Sequence, residues 1–370
     1  MEHYFDNAAT TKTCEEAINA AVDIMKNTYG NPSSTHTKGR EAHTKLDEFR
    51  SDIASVLGCK KEEFFFTSCG SESDNWAVIC GAEAMKRKGN HIISSMVEHD
   101  AVRKSLDVLE ARGFEVTRLR PDGTGRIPVE AVKEALRDDT VLVSLMMVNN
   151  ETGAVTDIKG ISEALKSVRS EALLHTDAVQ GFMKVPFKAK TLGADMISIS
   201  GHKIHAVKGI GGLYIRNGLR LPNFLVGGEQ ESGHRAGTEA MPQIAAFAAA
   251  AKQDPEIEKM ADLKKELTKK LVDNIPEVKY IETDGPHILN ISMPGWRSEV
   301  LMNFLEERDV FVSKSSACKQ GKRSHVLEAL GMNGKDIDGA LRIGISRFTT
   351  REDIDALVDG LKAARMLAHR

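Results

Sequence analysis

The chain has 370 residues, 41% of them hydrophobic and 28% charged, with a formal net charge of -3. That balance describes a soluble folded protein, and the length exceeds what one core usually supports, so two domains are expected. No basic stripe speaks for nucleic acid, no apolar run is long enough to span a bilayer, and the first residues lack a signal peptide's pattern. A cytoplasmic protein is expected. Five cysteines without a C-x-x-C pair predict reduced thiols.

In chain order, Thr13 with Glu16 reads as a capping box opening the first helix. Apolar runs at 63–67, 91–95, 114–118, 141–148, 173–176 and 196–200 predict strands, several apolar almost throughout, as strands covered on both faces are. Helical patterns alternate with them, and Gly30, Gly58, Gly89 and Gly113 read as helix stops. The alternation predicts a doubly wound α/β domain over 13–254 with a mostly parallel sheet. Past Asp254-Pro255 the texture changes to a charged helix at 257–274 and short strands at 278–282, 288–293, 310–313 and 340–346. A helix at 298–308 and a closing helix from 351 complete a smaller α+β domain, 255–370, joined by the segment 1–12.

Chemistry-bearing residues gather where these strands end, the edge at which open parallel sheets bind ligands. The turn Ser68-Cys-Gly-Ser71 precedes a helix and is a place for an anion, or simply a cap. Asn149 and Asn150 end the run 141–148 and could serve only the turn. Asp177 and Gln180 follow 173–176, and Asp177 could equally cap what comes next. Ser200, Gly201, His202 and Lys203 end 196–200. A lysine there could lose its proton and act as a Schiff-base nucleophile, although alone it reads as a solvated loop residue. His202 and His205 lack further ligands in a local cluster, so no metal site is expected, and no G-x-G-x-x-G turn marks a nicotinamide site.

Taken together, the ordered blocks resemble the class V branch of fold-type I pyridoxal-phosphate enzymes, specifically the cysteine desulfurases of the NifS/IscS type. They are Phe5-Asp-Asn-Ala-Ala-Thr-Thr11, Gly30-Asn-Pro-Ser-Ser-Thr-His36, Thr67-Ser-Cys-Gly-Ser-Glu-Ser-Asp-Asn75, Val97-Glu-His-Asp-Ala-Val102 and Val148-Asn-Asn-Glu-Thr-Gly153. The series continues with His175-Thr-Asp-Ala-Val-Gln180, Ser198-Ile-Ser-Gly-His-Lys203, Arg235-Ala-Gly-Thr238, Ser315-Ser-Ala-Cys318 and Leu341-Arg-Ile-Gly-Ile-Ser346.

The resemblance implies that Lys203 binds pyridoxal 5'-phosphate covalently, Asp177 pairs with its ring nitrogen, and Gln180 and Asn150 touch its ring oxygen. His99 would stack on the ring and could shuttle protons. Gly70, Ser71, Ser200 and His202 would hold the phosphate, joined by Thr238 from the partner subunit of a homodimer. Arg342 would bind the substrate carboxylate, and Cys318 would take sulfur from L-cysteine as a persulfide. An iron–sulfur scaffold or thiolation enzyme would be the acceptor. Small and charged residues around Cys318 predict an exposed loop, in which Lys314, Lys319, Lys322 and Arg323 would favour a thiolate or steer an acidic acceptor. Cys69 and Cys80 read as packing residues. Alternatives are a selenocysteine lyase, a class V aminotransferase or a non-catalytic sulfur carrier.

Overall fold

A computed structural model describes residues 2–315 and 323–368. Strands β1 (His3–Tyr4), β2 (Phe64–Thr67), β3 (His91–Ser95), β4 (Glu115–Leu119), β5 (Thr140–Ser144), β6 (Leu173–Asp177), β7 (Met196–Ser200) and β8 (Gly211–Ile215) come first. Seven of them form one sheet in the order β2-β8-β7-β6-β5-β3-β4. The pairs β3–β4, β3–β5, β5–β6 and β6–β7 are parallel, whereas β8 runs antiparallel to both β7 and β2. Strands β2, β3, β5, β6, β7 and β8 are buried along their whole length, because helices cover both faces, so their apolar residues need no alternation.

Strand β8 was not among the predicted strands. Its five residues begin with two glycines, and the second leaves a Cβ only 2.1 Å from the Phe64 ring, so the close approach that requires glycine also hides the strand signal. The run predicted at 141–148 forms a regular strand only to Ser144; Leu145 and Met147 still donate to β6, but the Met147 carbonyl and the Asn149 amide turn to Thr156 and Ala154.

The capping box at Thr13 does not form: the first helix, Glu15–Asn27, is capped by Cys14 without a side-chain bond, and the Thr13 prediction is corrected. Of the four predicted helix stops, Gly58 and Gly113 fulfil the role with φ of +77° and +90°. Gly30 and Gly89 are instead close-approach positions, where a Cβ would strike the carbonyls of Lys38 and Asp139. Helix Met241–Ala251 is apolar nearly all round and accordingly buried, packing on helices Glu15–Asn27 and Thr37–Leu57.

Strands β9 (Lys279–Ile281), β10 (Ile288–Ser292), β11 (Val310–Phe311), β12 (Ser313–Lys314) and β13 (Ala340–Gly344) follow. Four form an antiparallel sheet, β12-β13-β10-β9, whose apolar face meets helices Ile257–Asn274, Ser298–Glu306 and Arg351–Ala368 around a separate core of Leu267, Leu271, Leu301, Leu341 and Leu357. Phe5 packs inside that core, while β1 pairs with β11 and Gly344 N donates to the Phe5 carbonyl. A few residues on, Thr11 and Cys14 bind His202 and His205 beside the large sheet. The first residues therefore run as a strap from the small sheet to the large one. Among the described residues, no helix is long and apolar enough to cross a membrane.

Candidate functional site

The lysine turn is built by packing and then clamped. Gly201 lies so close to Ile210 and Phe247 that a Cβ would meet them at 2.7 and 3.2 Å. A larger residue would displace the turn Gly201–Lys203 at the end of β7. The His202 carbonyl accepts from both the amide and the hydroxyl of Thr11, and His205 N donates to that same hydroxyl at 2.8 Å. These bonds hold His205 at φ +71°, a left-handed backbone that costs a non-glycine residue about 1–3 kcal/mol.

Lys203 Nζ donates to the carbonyls of Ala8 and Ala9, both at 2.7 Å. Burial, followed by the charge of Arg342, lowers its pKa to about 8, so a useful fraction is a free amine near neutrality.

A cavity of about 330 Å³ opens in front of this amine. Gly70, Ser71, His99, Asn150, Asp177, Gln180, Ser200, His202, Lys203 and Arg342 all line it, so ten residues read from the sequence share one space. Thr238 does not line it and is exposed within the single chain.

Asp177 Oδ1 accepts from Val179 N at 2.9 Å, the local bond anticipated as an alternative, and burial raises the pKa of its carboxyl. His99 Nδ1 accepts from Ala101 N and caps helix Asp100–Ala111, which leaves Nε2 as the protonated nitrogen of the neutral ring. His202 is held neutral, its pKa lowered to about 4 mainly by burial, and its Nδ1 lies 3.1 Å from the Thr10 hydroxyl. Asn149 faces away from the cavity and organises the turn, its Oδ1 accepting from the amides of Glu151 and Thr152.

Arg342 reaches the cavity from β13 and is 2% exposed. One terminal nitrogen donates to the Asn150 carbonyl and another to Asp6 Oδ1, both at 3.1 Å, while Nε is buried without a partner. A guanidinium lining a cavity suits a carboxylate.

Two further groups await partners. Ser200 Oγ is buried and unpaired, beside Gly70, where a Cβ would come within 2.7 Å of Val179 and 3.3 Å of Ser200. Gly70 and Ser71 open a helix there, so their amides and the Ser200 hydroxyl form a cradle for an anion.

Some lining residues were not anticipated. Cys69 borders the cavity and is not a packing residue, whereas Cys80 is buried in the core as expected. Asp74 is fully buried with Oδ1 unpaired, and burial followed by the Asp177 charge holds its pKa well above the usual carboxylate range. The Ser-Asp pair within a helix gave no sign of this, because only β6 and β7 bring Asp177 beside it. Lys314 pairs with Glu299 and Arg323 bidentately with Asp338, so two of the four cations expected to act on Cys318 are already engaged. Cys318, Lys319 and Lys322 lie outside the described residues.

A family model described as aminotransferase class-V matches residues 3–357. The chain belongs to the class V aminotransferase family. Within that family it is 38% identical to a cysteine desulfurase of Trichormus azollae, covering 96% of this chain and 91% of the relative. It is 37% identical to the cysteine desulfurase IscS of Methanosarcina thermophila, over 96% and 90% of the two chains. A solved NifS-like protein superposes with a TM-score of 0.93 at 33% identity, covering 99% of this chain and 100% of that one. The class V fold with its mostly parallel large sheet agrees with the α/β class expected.

Proposed function

We propose that this protein is a cysteine desulfurase that converts L-cysteine to L-alanine with bound pyridoxal 5'-phosphate and keeps the sulfur as a persulfide on Cys318. The observation that carries the reading is one cavity with a pKa-lowered lysine amine on one wall and a buried arginine with a spare donor on another. The relatives' printed names support the same activity.

The residues fit the cofactor. Lys203 would hold it covalently, Asp177 would face its ring nitrogen, and Gln180 and Asn150 its ring oxygen. His99 would cover the ring, and Gly70, Ser71, Ser200 and His202 would hold the phosphate, with Ser200 Oγ supplying its unused hydrogen bond. Thr238, exposed here, would complete the cradle from the second copy of a homodimer. When bound, the cofactor supplies an electron-accepting ring conjugated to the substrate's Cα.

Arg342 would bind the substrate carboxylate and fix the Cα–H bond relative to Lys203. Lys203 Nζ would take the Cα proton, a step favoured by an amine lowered to about 8. His99, with its proton on Nε2, would hand a proton to or from the bound amino acid. The Cys318 thiolate would then attack the substrate sulfur. The C–S bond breaks with its electrons on the substrate, Cβ takes up a proton to become alanine's methyl group, Lys203 returns a proton to Cα, and the sulfur stays on Cys318. A division into domains 13–254 and 255–370, with the segment 1–12 tied to the second, belongs to the same proposal and is supported by the separate apolar cores.

The deciding experiment measures alanine and sulfide release from cysteine, with the absorption of added cofactor, for wild type, Lys203→Ala and Cys318→Ala. Loss of the cofactor's lysine-bound absorption in the first variant, and of desulfuration alone in the second, is expected. Full activity of Cys318→Ala would move the reading to a lyase or aminotransferase.

A further inference from the structure

Beside Gln180 lie two buried residues, Lys184 and His287, that none of these steps uses. Gln180 Nε2 donates to the Ala8 carbonyl at 2.8 Å. A carbonyl can only accept, so this bond decides which end of the amide is nitrogen. Gln180 Oε1 must then accept, and the atom 3.1 Å from it is Nε2 of His287. His287 therefore carries a proton on Nε2.

The His287 ring is 1% exposed. Burial, and after it the charge of Lys184, holds its pKa well below the ordinary value, so it is neutral. A neutral ring protonated on Nε2 presents a bare lone pair at Nδ1, and that atom is buried with no partner among the described residues. Lys184 has the complementary deficit: it is 4% exposed, and its Nζ is a buried donor without an acceptor. The Lys184 charge acts on the His287 ring, and a single water between them would meet the unmet donor and the unmet acceptor together.

We propose that Lys184 and His287 form a positioning pair for Lys203, with Lys184 Nζ donating to His287 Nδ1 through one buried water. The pair locks Gln180 with its nitrogen toward the Ala8 carbonyl, and Lys203 Nζ donates to that same carbonyl. A reversed Gln180 would set oxygen against oxygen at Ala8 and push the strap away from the lysine. The chain of bonds thus passes from the residue before β10, through the loop after β6, to the strap and the reacting amine. The term "reacting" rests on the function proposed above; the tautomer and its partner do not.

The test begins with nitrogen-15 NMR of the histidine rings in the full chain, with and without added pyridoxal phosphate, His287 being assigned by its loss in His287→Gln. The wild-type ring is expected to be protonated on Nε2, and Lys184→Met is expected to move the Nδ1 resonance. A ring protonated on Nδ1, or an Nδ1 resonance that ignores Lys184→Met, would overturn the pair. Alanine release supplies the second arm. His287→Leu is expected to lower kcat/KM about tenfold, the scale of one buried hydrogen bond. His287→Gln, which can place a donor near the imidazole Nε2, is expected to recover most of that loss. Equal losses in both variants would overturn the positioning role. If wild type itself releases no alanine, the proposed function fails while the NMR result still decides the pair.

Discussion

The cavity has an acidic wall, Asp74 and Asp177 with Glu98 near them, whose pKa values are raised, and a basic wall, Lys203 and His202 with Lys184 near them, whose values are lowered. Burial is the leading cause in all six. Desolvation opposes charge of either sign, so these six groups drift toward neutrality, while the Arg342 guanidinium on the same cavity stays charged beside Asp6. The difference between the walls lies in their remedies. Asp177 keeps a backbone donor at Val179, and Lys203 keeps two carbonyls, whereas Asp74 Oδ1 makes no hydrogen bond and has only the neutral His175 ring 3.6 Å away. Groups with partners can ionise when a charged ligand arrives; a group without one stays neutral.

Removing the partnered cation on the basic wall gives the largest expected effect. Lys203→Ala should abolish alanine release, read by coupled assay, and any turnover near wild type would mean that the reacting amine lies elsewhere. Arg342→Ala follows. Losing two charge-assisted hydrogen bonds should lower kcat/KM about 10²-fold or more. An unchanged KM and kcat would remove Arg342 from substrate binding.

The acidic wall is tested by pH. Glu98 holds its proton in the folded chain up to about pH 8, against an ordinary 4.5. Between those values the folded chain binds more protons than the unfolded one, so this residue's contribution to stability declines as pH rises. Glu98→Gln should therefore flatten the fall of Tm across that window, and a profile parallel to wild type would show that Glu98 is not protonated there. His175 tilts the opposite way. Burial lowers its pKa to about 3, so the unfolded chain takes up a proton first as pH drops below 6.5, and stability falls toward acid.

Asp74→Asn should have the smallest consequence. An amide replaces a carboxyl that is already neutral, so activity should stay within about twofold of wild type if that neutrality holds. A large loss would show that Asp74 is charged and that the two walls do not share one rule.

Strands such as β3 and β7 were legible to the residue because both faces are buried and their apolar runs end in polar turns. Eight of the ten cavity residues were legible because their blocks follow the ends of predicted strands; His99 and Arg342, the latter within β13, were legible only through the resemblance of their blocks. Other features depended on pairing. Strand β8 is hidden by the glycines that let Phe64 approach, and Asp74 gains its character only from Asp177. Lys184 and His287 are ordinary polar residues in sequence, more than a hundred positions apart. Nothing local in either stretch signals that both become dry. Cys318 rests on sequence blocks alone.

The strap has a consequence for synthesis. Asn7 bonds to Gly344, and Asp6 to Arg342 across 336 residues, while β1 has no strand partner until Val310 and Phe311 exist. A nascent chain holds every strand of the large sheet once Ile215 is made, long before these contacts become possible. The carbonyls of Ala8 and Ala9 that hold Lys203 are therefore anchored at both ends only when translation is almost finished. A chain interrupted before residue 310 keeps the lysine turn but lacks the anchor of the segment that restrains it, and lacks Arg342 as well.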